Sequence, residues 1–128
     1  MIGLVVVGLD VLPEAMLIAL QCMIGKQDKV VAVPLAPSEE ADGQRQAILK
    51  AVELADDGDG VLVFVDSMAS PAGYLMLSIM EQADVDVIGG VNLPMLCKVI
   101  ELRHESSVED LAKLARDEGR KAITWRTP

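Results

Sequence analysis

The chain is predicted to fold as a three-layer α/β domain. A doubly wound, mostly parallel sheet of four strands lies between helices, with a further strand at its C-terminal edge. Three observations carry this. First, Ile2–Val7 and Val61–Val65 are continuous runs without a polar side chain rather than alternating ones, the pattern of parallel strands covered on both faces. Second, segments with helical spacing, opened by Pro, Ser or Asn and closed by Gly, separate the strand-like runs. Third, 52% of the 128 residues are apolar while only one Trp, one Tyr and one Phe occur, so the core is aliphatic, with Met as filler. That length supports a single domain over 1–128, with no linker or low-complexity run inside it.

Residues 2 to 7 form a central strand bounded by Gly8 and Asp10. Pro13 then presets a first helical turn, and Leu12 to Ile24 is apolar nearly all round until Gly25. Such a helix is expected to be largely buried, part of it in a subunit interface. Val30 to Val33 is a short β-branched strand ended by Pro34-Leu35-Ala36-Pro37. Ser38 is the expected N-cap of a second helix, with Glu39 and Glu40 in its first turn. This helix carries Ala41, Ile48, Val52 and Ala55 on its packed face and ends at Asp56-Asp57-Gly58-Asp59-Gly60. Val61 to Val65 is the third strand. Ser70 caps a helix that begins at Pro71 and runs to about Gln82.

Val85 to Ile88 is the fourth strand, Gly89-Gly90 permits a tight turn, and Asn92 caps a helix from Leu93 to about Leu102. Ser106-Ser107-Val108-Glu109 has the capping-box pattern of a last helix with Leu111, Leu114 and Ala115 on one face, closed by Gly119. The Lys121 to Trp125 alternation suits a half-exposed edge strand. In a doubly wound sheet, ligands bind at the carboxyl ends of the strands. Function is therefore expected in the loops Gly8 to Leu12, Pro34 to Ser38, Asp66 to Ser70 and Gly89 to Asn92.

The formal net charge of −9 opposes a sequence-independent grip on a phosphate backbone, so no nucleic-acid partner is expected. The same acidity would favour a partner with a basic face, although it is also an ordinary route to solubility. Cys22 and Cys97 lie in apolar helical stretches without metal-ligand or Cys-x-x-Cys spacing and read as small buried hydrophobes in a reducing compartment. No metal, disulfide or cofactor is expected. The opening apolar run has no basic segment before it and is broken by Gly8, Asp10 and Pro13, so no leader or membrane insertion is expected and a cytoplasmic location is expected.

Gly89-Gly90-Val91-Asn92-Leu93-Pro94-Met95-Leu96, together with Met1–Val7 and Val61–Asp66, resembles the IIA domain of the mannose family of the bacterial sugar phosphotransferase system. The resemblance spans nearly the whole chain. It implies a homodimer, an antiparallel C-terminal edge strand near the dimer contact, and phosphotransferase-system proteins as partners. It also implies a phosphorylatable histidine at the end of the first strand, usually within Ser-His-Gly, where this chain has Gly8-Leu9-Asp10. Asp66 matches the family's acidic residue after the third strand. Relatives commonly continue Asp-Leu-Phe-Gly-Gly-Ser-Pro, whereas here Asp66-Ser67-Met68-Ala69-Ser70-Pro71 is one residue shorter and has neither Gly.

A phosphocarrier needs an imidazole in line with the donor, a carboxylate to orient it, and helix N-terminal amides for the phosphoryl oxygens. Leu9 has no lone pair to accept a phosphoryl group. The only histidine, His104, lies in the charged Arg103-His104-Glu105 segment and reads as a solvated surface histidine. The leading expectation is thus a non-catalytic regulatory or binding module. Its pocket would be built from Gly8, Leu9, Asp10, Asp66, Ser67, Ser70 and Asn92, and it would either dock on a phosphotransferase component or sense a small anion. The alternative is a working IIA component that carries phosphate on Asp10, Asp66 or a loop Ser. Asp10 and Asp66 would then form an acyl phosphate or hold Mg²⁺, against a plainer reading as helix caps or solvated loop residues.

Overall fold

A computed structural model describes all residues, 1–128. The element order is β1 (Gly3–Leu9), α1 (Leu12–Ile24), β2 (Val30–Leu35), α2 (Ala41–Ala55), β3 (Val61–Val65), α3 (Pro71–Ala83), β4 (Asp86–Gly89), α4 (Leu93–Leu102) and α5 (Val108–Lys121). The strands are all parallel, in the order β2-β1-β3-β4. Successive side chains of a strand point to opposite faces, and the sheet is covered on both. Val5, Val7, Val63 and Val65 pack against Ile48 and Val52 of α2 and Met76 and Ile79 of α3. Leu4, Val6, Leu62 and Phe64 pack against Leu17 and Leu20 of α1, Leu96 and Val99 of α4, and Leu111 of α5.

The layers follow from the chain's route. From β1 the chain moves out through α1 on one face to β2, then crosses back over β1 through α2 on the other face to reach β3. The direction of winding therefore changes between β1 and β3. In such sheets this switch point leaves a crevice beyond the carboxyl ends of the two strands. β2 is an edge strand, so it continues through Pro34 to Leu35, where the missing N–H disturbs no inner ladder.

Several expectations are corrected. The C-terminal edge strand over Lys121–Trp125, antiparallel by resemblance, is not formed. α5 continues to Lys121, Ile123 N–H still bonds the Arg120 carbonyl at 3.3 Å, and the following residues join no strand. The reason lies in Gly119, expected to stop the helix. It is instead a buried packing position inside α5, where an added Cβ would lie 2.4 Å from Met95 Cε and where the Gly119 carbonyl accepts from Asn92 Nδ2 at 3.1 Å. Ser38 caps nothing: α2 starts after Glu40, without a side-chain cap. The last helix is capped by Ser107, which accepts from Asp110 N–H at 3.1 Å, one residue later than a box opened by Ser106. Only Pro13, Leu17 and Leu20 of α1 are buried, and Cys22, expected inside, is exposed.

Candidate functional site

The switch point gathers most of the expected loop residues. Gly8 and Leu9 close β1, with Gly8 buried and Leu9 45% exposed, so the Leu9 alkyl chain stands at the mouth of the crevice rather than in the core. Asp10 then turns the chain in the left-handed region at φ 52°, its N–H on the Leu35 carbonyl at 3.0 Å. It caps no helix. Val11 occupies the N-cap of α1 without a side-chain bond, which leaves the Asp10 carboxylate in solvent.

The loop after β3 is more tightly built. The Asp66 carboxylate accepts from Ser67 N–H at 2.9 Å and from the Ser70 hydroxyl, while Ser70 Oγ accepts from Gly73 N–H at 3.2 Å as the N-cap of α3. Ser67 Oγ in turn accepts from Ala69 N–H at 3.2 Å. Asp66, Ser67 and Ser70 are thus one hydrogen-bonded unit at a helix N-terminus. This ordering is local, arising from the usual capping chemistry of Asp and Ser.

The β4–α4 turn is fastened to that loop. Gly90 N–H bonds the Asp66 carbonyl at 3.1 Å, and Val91 N–H bonds the Val65 carbonyl at 3.2 Å. Gly90 sits at φ +80°, and a Cβ on Gly89 would meet Met68 Cγ at 2.5 Å, so both glycines of the pair are required. Asn92 is engaged on both sides: Oδ1 accepts from Met95 N–H and Nδ2 donates to the Gly119 carbonyl, each at 3.1 Å. It caps α4 and ties α5 to the turn. No hydrogen bond joins Leu9, Asp10 or Asn92 to the carboxylate of Asp66, and no three His, Cys, Asp or Glu side chains come together as metal ligands.

A groove missed in the sequence lies beside this unit. Leu12, Ala15, Met16 and Ala19 of α1 face Val91 and Leu93 across about 400 Å³, with Asp66 as the one charged group in its lining. The all-round apolar pattern of Leu12–Ile24 was the available signal. His104 lies elsewhere. α4 runs back along the sheet, and the Arg103 carbonyl beside His104 accepts from Ile2 N–H at 3.3 Å, which places this turn at the start of β1. A seven-residue strand spans about 20 Å, so the histidine is exposed at the opposite edge from Leu9.

The EIIA-man family profile, described as "PTS system fructose IIA component", matches residues 3–115. The chain belongs to this family. The mannose-specific EIIAB component of Escherichia coli K12 is 28% identical over 112 residues, 86% of this chain but 35% of that protein. The IIA-family chain thus spans about a third of the length of that relative. The fructose-specific EIIA component of Bacillus subtilis 168 is 27% identical over 112 residues, covering 87% of this chain and 77% of that one.

Solved structures agree on the fold. EIIA from Streptococcus agalactiae superposes with a TM-score of 0.88 at 22% identity, over 97% of this chain and 96% of that one. The mannose/sorbose-specific IIA subunit from Enterococcus faecalis gives 0.86 at 19% identity, over 99% and 96%. No helix of this IIA-family chain is long and apolar enough to cross a membrane.

Proposed function

We propose that this IIA-family chain does not relay a phosphoryl group and serves as a cytoplasmic, non-catalytic regulatory or binding module that docks on other phosphotransferase-system proteins. The observation that carries this reading is Leu9 at the end of β1, partly exposed at the crevice where a carrier needs a nucleophilic nitrogen. The position of His104 supports it, since an imidazole about 20 Å away at the other edge cannot share the helix N-termini of this one. The bonding of Asp66 supports it too. Its carboxylate is occupied by Ser67 and Ser70, and the Ser70 oxygen already accepts from Gly73, a structural arrangement rather than an activated nucleophile.

The surface around these loops fits a docking role. Leu9, Val11 and Leu12 are exposed beside Asp10, Glu14 and Asp66, a combination suited to a partner that offers apolar groups and a basic residue. The test is direct. Incubated with phosphoenolpyruvate, enzyme I and the histidine phosphocarrier protein, the chain is expected to keep its 13.7 kDa mass. A stoichiometric gain of one phosphoryl group overturns the reading. Loss of that group to hydroxylamine or to acid would then distinguish an acyl phosphate from a phosphohistidine.

The module is also proposed to be a homodimer. Val11 at the N-cap of α1 and Ile18 and Met23 within it are 66%, 63% and 59% exposed, and Ile123 and Trp125 at the C-terminus are 78% and 89% exposed. So many unpartnered apolar side chains on a small domain favour association. Sedimentation at micromolar concentration is expected to give twice the 13.7 kDa chain mass, and a single species at 13.7 kDa would count against it.

A further inference from the structure

The acidic chain has one cationic region. Five of its eleven Lys and Arg, but only two of its twenty Asp and Glu, lie in residues 113–128. Two of these cations converge on one cavity. Arg116 and Arg120, four residues apart on α5 and so on one face of it, line a concavity of about 270 Å³ together with Gly89, Gly90, Asn92 and Ile123. Four other concavities on the molecule are each lined by at least one carboxylate; this one has none.

The arginines are free to bind. Arg116 holds Asp117 through Nε at 3.2 Å, which leaves both of its terminal nitrogens available, and Arg120 is exposed and makes no side-chain hydrogen bond or ion pair. Their placement is fixed by Asn92, whose Nδ2 bond to the Gly119 carbonyl clamps α5 against the β4–α4 turn. A Cβ on Gly90 would meet nothing within 4 Å, so a ligand can approach the backbone closely there, whereas the space beside Gly89 is filled by Met68.

We infer that this concavity binds a small free phosphate monoester, gripped by the Arg116 and Arg120 guanidiniums against the Gly89-Gly90 turn. Two guanidiniums match the charge of a phosphate dianion, and the planar fork of each can donate to two of its oxygens. The volume is below that of typical drug-sized pockets, so the organic part of the ligand is small. An anion is disfavoured in the neighbouring α1–α4 groove, which is apolar apart from the Asp66 carboxylate. The anion therefore belongs on the far side of the Gly89-Gly90 turn, and this inference goes beyond the proposed docking role because it does not depend on whether Leu9 replaces a carrier.

Inorganic phosphate, glycerol 3-phosphate and neutral glycerol are titrated at constant ionic strength into ¹⁵N-labelled protein. Both phosphates are expected to give saturable shifts at the amides of Gly89, Gly90 and Gly119 and at Nε of Arg116 and Arg120, and glycerol none. R116Q/R120Q is expected to weaken binding at least tenfold and R120Q alone several-fold, while K50Q/K98Q, which removes two cations that do not line the concavity, leaves it unchanged. Three results overturn the inference: no saturation, shifts centred on Gly8–Asp10 or Ser67–Ser70, or equal weakening by K50Q/K98Q. Both arginines are exposed, so unchanged far-ultraviolet circular dichroism is expected for each variant.

Discussion

Gly73→Ala is expected to destabilise the chain by about 2 kcal/mol, whereas Gly43→Ala, the same change in another helix, is expected to stabilise it by up to about 1 kcal/mol. In a helix Ala is preferred to Gly because it restricts the unfolded chain more, and this term is common to both. The surroundings differ. At Gly43, exposed on α2, the nearest atoms to an added Cβ are in the Glu39 side chain, at 3.8 and 3.9 Å. At Gly73 the added Cβ would lie 2.3 Å from the Met68 carbonyl oxygen and 2.6 Å from Met68 Cα, which are backbone atoms that cannot swing aside. Either α3 tilts or the β3–α3 loop moves.

A moved loop breaks the Ser70 bonds to Asp66 and Gly73, so the cost of overpacking, about 3 kcal/mol at the upper end of the usual range, outweighs the propensity gain. Urea unfolding midpoints measure both effects. Faster amide exchange at Ser67 and Ser70 in the Gly73 variant identifies the loop as the part that yields. Equal stabilisation by both substitutions would show that α3 does not depend on this close approach.

What could be read from the sequence was local, and what could not was set by distant partners. The caps at Ser70 and Asn92 are three residues from the amides they satisfy, and the buried runs of β1 and β3 carry their own pattern, so these elements were legible. The site loops followed because a doubly wound sheet places strand ends together. Gly119 misled because a glycine after a helical run signals an end, yet Leu111, Ala115 and Gly119 continue one buried stripe at four-residue spacing. That spacing was the overlooked signal, and it removed the first residue of the expected edge strand. α1 misled in the opposite way: its all-round apolar sequence implied burial, but one face of it has no partner within the chain. The arginine cavity needed the fold, since Gly89-Gly90 and Arg116 are brought together only by packing of α5 on the β4–α4 turn.

Arg103 is the sharpest case of a partner that sequence hides, and it yields the second large effect. It stands in a charged tripeptide, yet it is 2% exposed. Its Nη2 donates to the Asp28 carbonyl at 2.7 Å, while Nε and Nη1 are buried without a partner. Burial pushes its pKa below the usual value, against the opposing pull of Asp28 and Asp57, which means that the charged form is disfavoured by folding. The direction sets the sign of the predictions. Arg103→Met keeps most of the packing and removes a poorly compensated charge, so it is expected to be neutral or stabilising by about 1 kcal/mol. Arg103→Ala removes the same charge but opens a cavity beneath the start of β1, so it is expected to cost about 3 kcal/mol. A guanidinium stays charged throughout the working range, so the difference between Met and Arg should not vary from about pH 6 to 9. Denaturation of the three proteins at several pH values tests this. If Arg103→Met were as damaging as Arg103→Ala, the charge would have to be contributing stability, and the two unpartnered nitrogens would need a bonding account they do not now have.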